Sequence, residues 1–182
     1  MSSDFKIRVA EPSIEEEDAK AVYNAVKEEC LSGSGPYNKQ FEKNFAEYIG
    51  TKHAIAVNSG TAALHLSLEV LDIRDGDEVI TTPFTFAATS NVIIMQNAKP
   101  VFVDIEPETF NLDPLKIESS ISSKTKAIMP IHYAGQPCEM DAINEIAKKH
   151  SLYVIEDAAP AVGATYKGKK AGTLGDIAGF SF

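Results

Sequence analysis

The sequence predicts an α/β protein in which helices cover both faces of a mostly parallel sheet, a three-layer helix/sheet/helix fold. Short apolar runs alternate with segments of helical periodicity along most of the chain, and strands joined by helices pair in parallel. The runs VFVD (101–104) and LYVIED (152–157) are also apolar nearly throughout. Such runs are typical of strands that are buried on both faces, as in a parallel sheet between two helical layers.

The first fifty residues predict two helices ahead of the alternating region. Ser13 and Glu16 fit a capping box at the start of a helix that runs to about Cys30. A segment rich in glycine and serine separates it from a second helix, which has aromatic residues on one face and ends at Gly50. We therefore expect residues 1–50 to form an N-terminal helical segment that packs on a larger domain.

From residue 51 onward, strands and helices are predicted in turn. Asp75-Gly76-Asp77 is a typical turn, and Asp113 followed by Pro114 is a typical helix start. The predicted strands are 54–57, 78–81, 101–104, 126–132, 152–156 and 177–182, and the predicted helices are 60–71, 85–97, one capped by Asp113, and 139–150. We interpret residues 51–182 as the large α/β domain, incomplete at the C-terminus because the last strand has neither a covering helix nor a polar end.

The composition argues against two classes of function. The 182 residues include 17 Lys and Arg against 26 Asp and Glu, a formal net charge of -9. Nucleic acids and anionic membranes attract basic surfaces, so we expect neither as a partner. The N-terminus has no apolar signal segment, and Cys30 and Cys138 have no metal-ligand or disulfide spacing. We expect a cytoplasmic protein with free thiols and no metal site.

The first candidate site is the segment NSGTAA (58–63), which follows a predicted strand and opens a helix. Open α/β sheets bind ligands at the carboxyl ends of their strands. The start of a helix offers unpaired N–H donors and a positive dipole end, Gly60 lets an anion approach the backbone, and Thr61 adds a hydroxyl. This pattern indicates a phosphate site, and an ordinary helix cap is the alternative.

Two further candidates lie at other strand ends. Phe84 and Phe86, in TPFTFAAT (82–89), could stack on a flat heterocycle, although burial in the core is the commoner fate of phenylalanine. Asp157 ends a central strand, where a carboxylate needs a cationic partner, and a helix cap is its alternative role. Together the three segments predict a site for a flat, phosphorylated, cationic ring, which are the features of pyridoxal 5'-phosphate.

These segments resemble the DegT/StrS family of sugar aminotransferases, which are fold-type I pyridoxal-phosphate enzymes. The resemblance extends over nearly the whole chain, in the family's order and at family-like spacing. The matching segments include AIAVNSGTAALHLSL, GDEVITTPFTFAATSNVI, KPVFVDIEPETFNLD, IMPIHYAGQPCEMDAI and VIEDAAPAVGATYKGKKAGTLGDIAGFSF. Each segment is weak by itself, and their combination is specific.

The resemblance implies a role for six residues. The backbone of Gly60, Thr61 and Ala62 would bind the cofactor phosphate, and Ser181 would add a phosphate contact. Phe86 would stack on the pyridine ring, and Asp157 would pair with the ring nitrogen and keep it protonated. Pro160 stands where many family members have Gln or His beside the ring hydroxyl, so no contact is assigned there. His132 matches a family motif, with a structural role as its alternative, and 167–170 fits a hairpin tip.

The resemblance places the Schiff-base lysine a few residues beyond Phe182, followed by a small C-terminal domain. It implies a transaminase that takes an amino group from an amino acid, expected to be glutamate, with pyridoxamine phosphate in the cycle. The acceptor would be a keto-sugar, expected to be nucleotide-linked, in amino-sugar and polysaccharide biosynthesis. A homodimer is also implied. Without the lysine, we expect residues 1–182 alone to bind the cofactor weakly and to be inactive.

Two alternatives remain open at this point. Some members of the same family have His in place of the lysine and are sugar dehydratases that use pyridoxamine phosphate, although EDAAPAVGA (156–164) is closer to the aminotransferase branch. A chain without the lysine could also be a non-catalytic binding or assembly module. The residue beyond Phe182 would distinguish these functions.

Overall fold

Five parallel strands form the central sheet of the part of the chain that the computed structural model describes, residues 11–28 and 32–182. The described strands are β1 (Glu78–Thr81), β2 (Lys99–Phe102), β3 (Thr125–Ile128), β4 (Tyr153–Asp157), β5 (Thr165–Tyr166), β6 (Lys169–Lys170) and β7 (Ile177–Gly179). The order in the sheet is β2-β1-β3-β4-β7, and β5 and β6 pair separately as an antiparallel hairpin. The predicted parallel sheet is confirmed.

Helices pack on both faces of this sheet. The described α-helices are α1 (Glu16–Lys27), α2 (Pro36–Ile49), α3 (Gly60–Val70), α4 (Ala88–Met95), α5 (Pro114–Ile117) and α6 (Met140–His150), of which α3 to α6 cover the sheet. One core cluster joins α3 and α4 to Val79 and Ile155, and a second joins α5 and α6 to Ile80 and Val154. Adjacent strand residues thus point to opposite layers, which confirms the predicted three-layer arrangement.

The predicted strand 54–57 is absent from the described sheet. Its residues have no regular structure, Ile55 is 72% exposed, and the N–H of Ala56 donates to Glu42 Oε1 at 2.9 Å. A strand forms only where a neighbouring strand accepts its ladder of hydrogen bonds, and the described sheet ends at β7. Residues 54–57 have the apolar composition of a strand, but the prediction of a paired strand was wrong for this part of the chain.

Several helix and strand boundaries differ by a few residues from those predicted. The helix expected from residue 85 begins at Ala88, because the preceding residues form a turn after β1. The strand expected to reach His132 ends at Ile128, just before Met129 and the ring of Pro130, which has no N–H to donate. Asp113 does cap α5, since its carboxylate accepts the N–H of Leu115 at 3.0 Å.

The two N-terminal helices differ in how they contact the rest of the chain. The start of α1 uses Glu15 and Asp18 as its capping box, two residues later than the predicted Ser13 and Glu16, and α1 buries none of its residues. In α2, Phe45 meets the ring of Phe180 at 5.1 Å between centroids. Gly50 ends α2 with φ +93°, as predicted. A domain division at residue 50 stays a prediction.

One of the two cysteines, Cys138, lies within the described residues. Cys30 lies outside the described residues. Cys138 is fully buried beside α6, and burial raises the pKa of its thiol to about 12. It is therefore an unreactive thiol at neutral pH. Among the described helices, none is both long and apolar enough to cross a membrane.

Candidate functional site

A pocket of about 610 Å³ lies at the carboxyl end of the sheet, where an open parallel sheet is expected to bind its ligand. Its wall is formed by the start of α3, the turn before α4, the end of β4 and the residues after β7. It brings together Gly60, Thr61, Phe86, Asp157 and Ser181, five of the six residues predicted from the sequence. The volume is typical of a small-molecule site.

The start of α3 supplies backbone donors to this pocket. Ser59 caps the helix, and its Oγ accepts the N–H of Ala62 at 3.1 Å. Gly60 and Thr61 occupy the first turn, where N–H groups have no carbonyl partner within the helix. These two N–H groups suit an anion, whereas Ala62, the sixth predicted residue, would have to share its donor with Ser59. Phosphate binding by all three stays a prediction.

Ser181 lies directly against Gly60. A Cβ atom built on Gly60 would stand 2.8 Å from Ser181 Cβ and 3.0 Å from Ser181 Oγ. Since Cβ atoms do not approach other atoms so closely, only glycine at residue 60 lets the chain after β7 reach α3. The close approach places a hydroxyl beside the helix end that faces the pocket.

Asp157 is the acidic group of the pocket and is only 3% exposed. Its Oδ2 accepts the hydroxyl of Thr89 at 2.6 Å, and its Oδ1 accepts the N–H of Ala159 at 3.3 Å. Burial raises the pKa of Asp157 above its ordinary value, and these two hydrogen bonds offset part of the rise. A buried carboxylate with few donors favours a cation next to it.

Glu156, the neighbouring residue on β4, has a different environment. Its carboxylate accepts backbone N–H groups of Gly172, Leu174 and Gly175, each at 2.7 Å. Burial by itself would raise the pKa of Glu156, but the hydrogen bond from His132 and those from the backbone outweigh burial and lower it. Two adjacent carboxyl groups therefore have opposite pKa shifts, one inside a hydrogen-bond network and one beside the pocket.

His132 belongs to the Glu156 network. Its Nδ1 accepts the N–H of Cys138 at 3.3 Å, so the ring proton is on Nε2, which donates to Glu156 Oε2 at 2.9 Å. The ring is fully buried and is not part of the pocket wall. Of the two roles considered for His132, this geometry is that of a structural histidine.

The two phenylalanines before α4 have different surroundings. Phe86 lines the pocket and is 79% exposed, which rules out the alternative of a buried core ring. Phe84 packs on Tyr133 and Phe110, with ring centroids 4.8 Å and 5.5 Å away. An exposed ring on a pocket wall has its face free for a planar ligand. Stacking by Phe86 stays a prediction.

Sequence reasoning missed two contributors to this region. Tyr133 lines the pocket because the turn after β3 folds over its edge, and Thr89 bonds to Asp157 from α4. A signal for Thr89 was present, since Thr85 and Thr89 are one helical turn apart in the segment that contains Phe86. Sequence reasoning had no means of pairing Thr89 with a carboxylate 68 residues away.

The lysines near residue 168 lie away from this pocket. Lys167 and Gly168 form the tip of the β5–β6 hairpin, as predicted for 167–170, and both have positive φ. Lys167 Nζ contacts Asp141 Oδ2 at 2.5 Å. Lys170 donates to the carbonyl of Tyr48 in α2. No lysine of residues 11–28 or 32–182 lines the pocket wall.

Comparison with known proteins identifies a family and relatives of this chain. The family model described as the DegT/DnrJ/EryC1/StrS aminotransferase family matches residues 12–182. GDP-perosamine synthase of Caulobacter vibrioides is 50% identical over 182 residues, which cover 100% of this chain and 49% of that protein. The spore coat polysaccharide biosynthesis protein SpsC of Bacillus subtilis is 50% identical over 171 residues, 94% of this chain and 44% of SpsC.

A solved structure has the same fold. The structure of Spr1654 from Streptococcus pneumoniae, in its PLP form, matches with a TM-score of 0.89 and 34% identity. The match covers 98% of this chain and 49% of that one, and the same protein was also solved in a PMP form. The chain spans about half the length of the curated relatives it matches.

Proposed function

The chain belongs to the DegT/DnrJ/EryC1/StrS aminotransferase family, and from this membership we propose that it is the cofactor-binding half of a sugar aminotransferase. Aminotransferases of this family depend on pyridoxal 5'-phosphate, and Spr1654 was solved with the cofactor in both its PLP and PMP forms. The observation that carries the proposal is one pocket lined by the start of α3, the exposed ring of Phe86 and the buried carboxylate of Asp157.

The residues of this pocket fit the chemistry of the cofactor. In the proposal, the N–H groups of Gly60 and Thr61, with Ala62 and the hydroxyl of Ser181, hold the phosphate. The ring of Phe86 covers one face of the pyridine. Asp157 pairs with the protonated ring nitrogen, because a buried anion without a cationic partner is unfavourable. The protonated ring supplies the electron sink for moving an amino group.

The donor, the acceptor and the assembly also belong to the proposal. GDP-perosamine synthase and SpsC are named for amino-sugar and polysaccharide synthesis, which supports a keto-sugar, nucleotide-linked acceptor for this chain. Glutamate is the proposed amino donor, and the proposed setting is a homodimer in the cytoplasm. The Schiff-base lysine is proposed to come from the C-terminal half that the relatives have in addition.

The first experiment is to sequence the coding DNA beyond Phe182. A lysine a few residues on is expected, followed by a C-terminal domain. A histidine at that position would favour the dehydratase instead, and the absence of any further domain would favour a binding module.

The second experiment tests the chemistry of the full-length protein. Borohydride reduction after incubation with pyridoxal 5'-phosphate should fix the cofactor on that lysine, located by peptide mass mapping. In a separate sample that has not been reduced, glutamate should be converted to 2-oxoglutarate over multiple turnovers when a nucleotide-linked keto-sugar is supplied. The 182-residue chain is the control, and multiple turnovers by it alone would contradict the assignment of the lysine to the missing half.

A further inference from the structure

Thr89 is a buried polar residue that the proposed function does not use. It lies in the first turn of α4 and is fully buried, and its Oγ1 is 2.6 Å from Asp157 Oδ2. The same oxygen is 2.7 Å from Thr85 Oγ1 and 3.2 Å from the carbonyl of Phe86. Three acceptors thus surround a hydroxyl that has one proton to give.

The geometry decides where this proton goes. The carbonyl of Phe86 already accepts the backbone N–H of Thr89 at 3.1 Å, so it has less need of the hydroxyl. A distance of 2.6 Å is typical of a hydroxyl that donates to an ionised carboxylate. Thr89 therefore donates to Asp157, and Thr85 donates to Thr89. Each donor in such a chain polarises the next, which strengthens the last bond.

We propose that Thr89, supported by Thr85, is the positioning residue for Asp157, and that it holds the carboxylate ready to pair with a protonated ring nitrogen in the pocket. This inference rests on the proposed function, since it concerns how that site holds its cofactor. Residues 85–89 would then contribute to the site in two ways, because Phe86, which lies between the two threonines, lines the same pocket as Asp157.

Burial and charge support this role. Desolvation raises the pKa of Asp157, and the hydrogen bond from Thr89 is the largest influence that lowers it. Without that hydroxyl the carboxylate would have the N–H of Ala159, at 3.3 Å, as its remaining close donor among the described residues. Such a carboxyl group is held less firmly and is less readily ionised, so it pairs less well with a cation.

The test uses the full-length protein and pyridoxamine 5'-phosphate, which binds without a lysine bond. Thr89→Val removes the hydroxyl at nearly constant shape and should weaken this ligand about tenfold, while Thr89→Ser should restore binding. The ¹⁵N chemical shift of the labelled ring nitrogen should move toward the unprotonated value in Thr89→Val and return in Thr89→Ser. Inorganic phosphate should bind equally to all three proteins.

One control and one further variant keep the outcome decisive. Ser90→Ala removes a hydroxyl that bonds the Ala87 carbonyl in the same turn and should change neither readout. If Thr89→Val does not fold, Thr85→Val should give a smaller, about threefold, weakening. If the wild-type protein binds the ligand and the threonine variants show the same affinity and the same ring-nitrogen shift, the role of Thr89 is overturned and the proposed function is not. A wild-type protein that does not bind would overturn the proposed function as well.

Discussion

At the scale of single residues, the pocket holds a carboxyl group in an environment that disfavours its charge. Asp157 is nearly fully buried, and burial raises the pKa of its side chain above the ordinary value. A group whose pKa is raised by folding binds its proton more tightly in the folded state, so its ionisation at neutral pH costs stability. A cation bound in the pocket would remove that cost, which is consistent with the proposed pairing of Asp157 with a ring nitrogen.

Asp157→Asn should therefore separate stability from binding. In the absence of cofactor, its melting temperature at pH 7 should equal or exceed that of the wild type, because the buried anion is gone. The wild type should gain the same advantage as the pH falls toward the raised pKa. Pyridoxamine 5'-phosphate should bind about tenfold or more weakly to the variant, because the ring nitrogen loses its anion.

Thermal melts with and without this ligand check both halves of that prediction. Asp72→Asn, at a side chain that is 82% exposed, serves as the control and should alter neither quantity. A strong loss of melting temperature in Asp157→Asn without cofactor would show that Asp157 is a structural residue instead.

Phe86→Ala should weaken cofactor binding about fivefold, which corresponds to about 1 kcal/mol of stacking. Because the ring is 79% exposed, its removal should leave the melting temperature of the cofactor-free protein unchanged. Fluorescence titration with pyridoxamine 5'-phosphate measures the change. Phe102→Ala, an exposed ring in the edge strand β2 outside the pocket, is the matched control, and an equal loss in both variants would exclude stacking by Phe86.

At the scale of elements, one carboxylate connects β4 to the turn before β7. Glu156 binds the N–H groups of Gly172, Leu174 and Gly175, and His132 binds it from the turn after β3. The turn is tightly packed, since a Cβ on Gly172 would stand 2.5 Å from the Phe180 ring. The network therefore sets where β7 begins, and β7 in turn leads to Ser181 beside α3.

Glu156→Gln should lower the free energy of unfolding by about 3 kcal/mol at pH 7, because the amide turns an N–H donor toward groups that are themselves donors. Urea denaturation measures the free energy of unfolding, and Glu145→Gln, at an exposed side chain, is the control. The pKa of Glu156 is lowered in the folded state, so its contribution is present above the unfolded pKa and lost as pH falls through the folded pKa. The difference in free energy of unfolding between the wild type and Glu156→Gln should therefore shrink at acid pH. A difference that stays constant with pH would contradict the role of the Glu156 charge.

At the scale of the whole molecule, part of the apolar surface of α1 is left uncovered by residues 11–28 and 32–182. Val22, Tyr23 and Val26 are more than half exposed, and α1 buries none of its residues. An amphipathic helix gains most of its stability by covering its apolar face. This uncovered face supports the proposed homodimer.

The double substitution Val22→Glu with Val26→Glu should shift the full-length protein toward monomer in sedimentation velocity, because it places charge on that face. Lys20→Glu alters the net charge by the same two units from another part of the helix and should leave the dimer intact. A dimer that survives the double substitution would mean that α1 lies outside the interface.

The sequence by itself determined the layered α/β fold and most of the pocket. Periodicity is local, so it located α2, α3, α6 and β1 to within a residue or two, and Gly60 at a helix start and Asp157 at a strand end marked the ligand face. It could not decide pairing across the chain. Residues 54–57 become a strand only where a neighbouring strand pairs with them. Whether Thr89 bonds to Asp157 depends on how α4 packs beside β4. Hydrogen bonds between distant segments arise only when packing brings them together, so tertiary structure alone decided them.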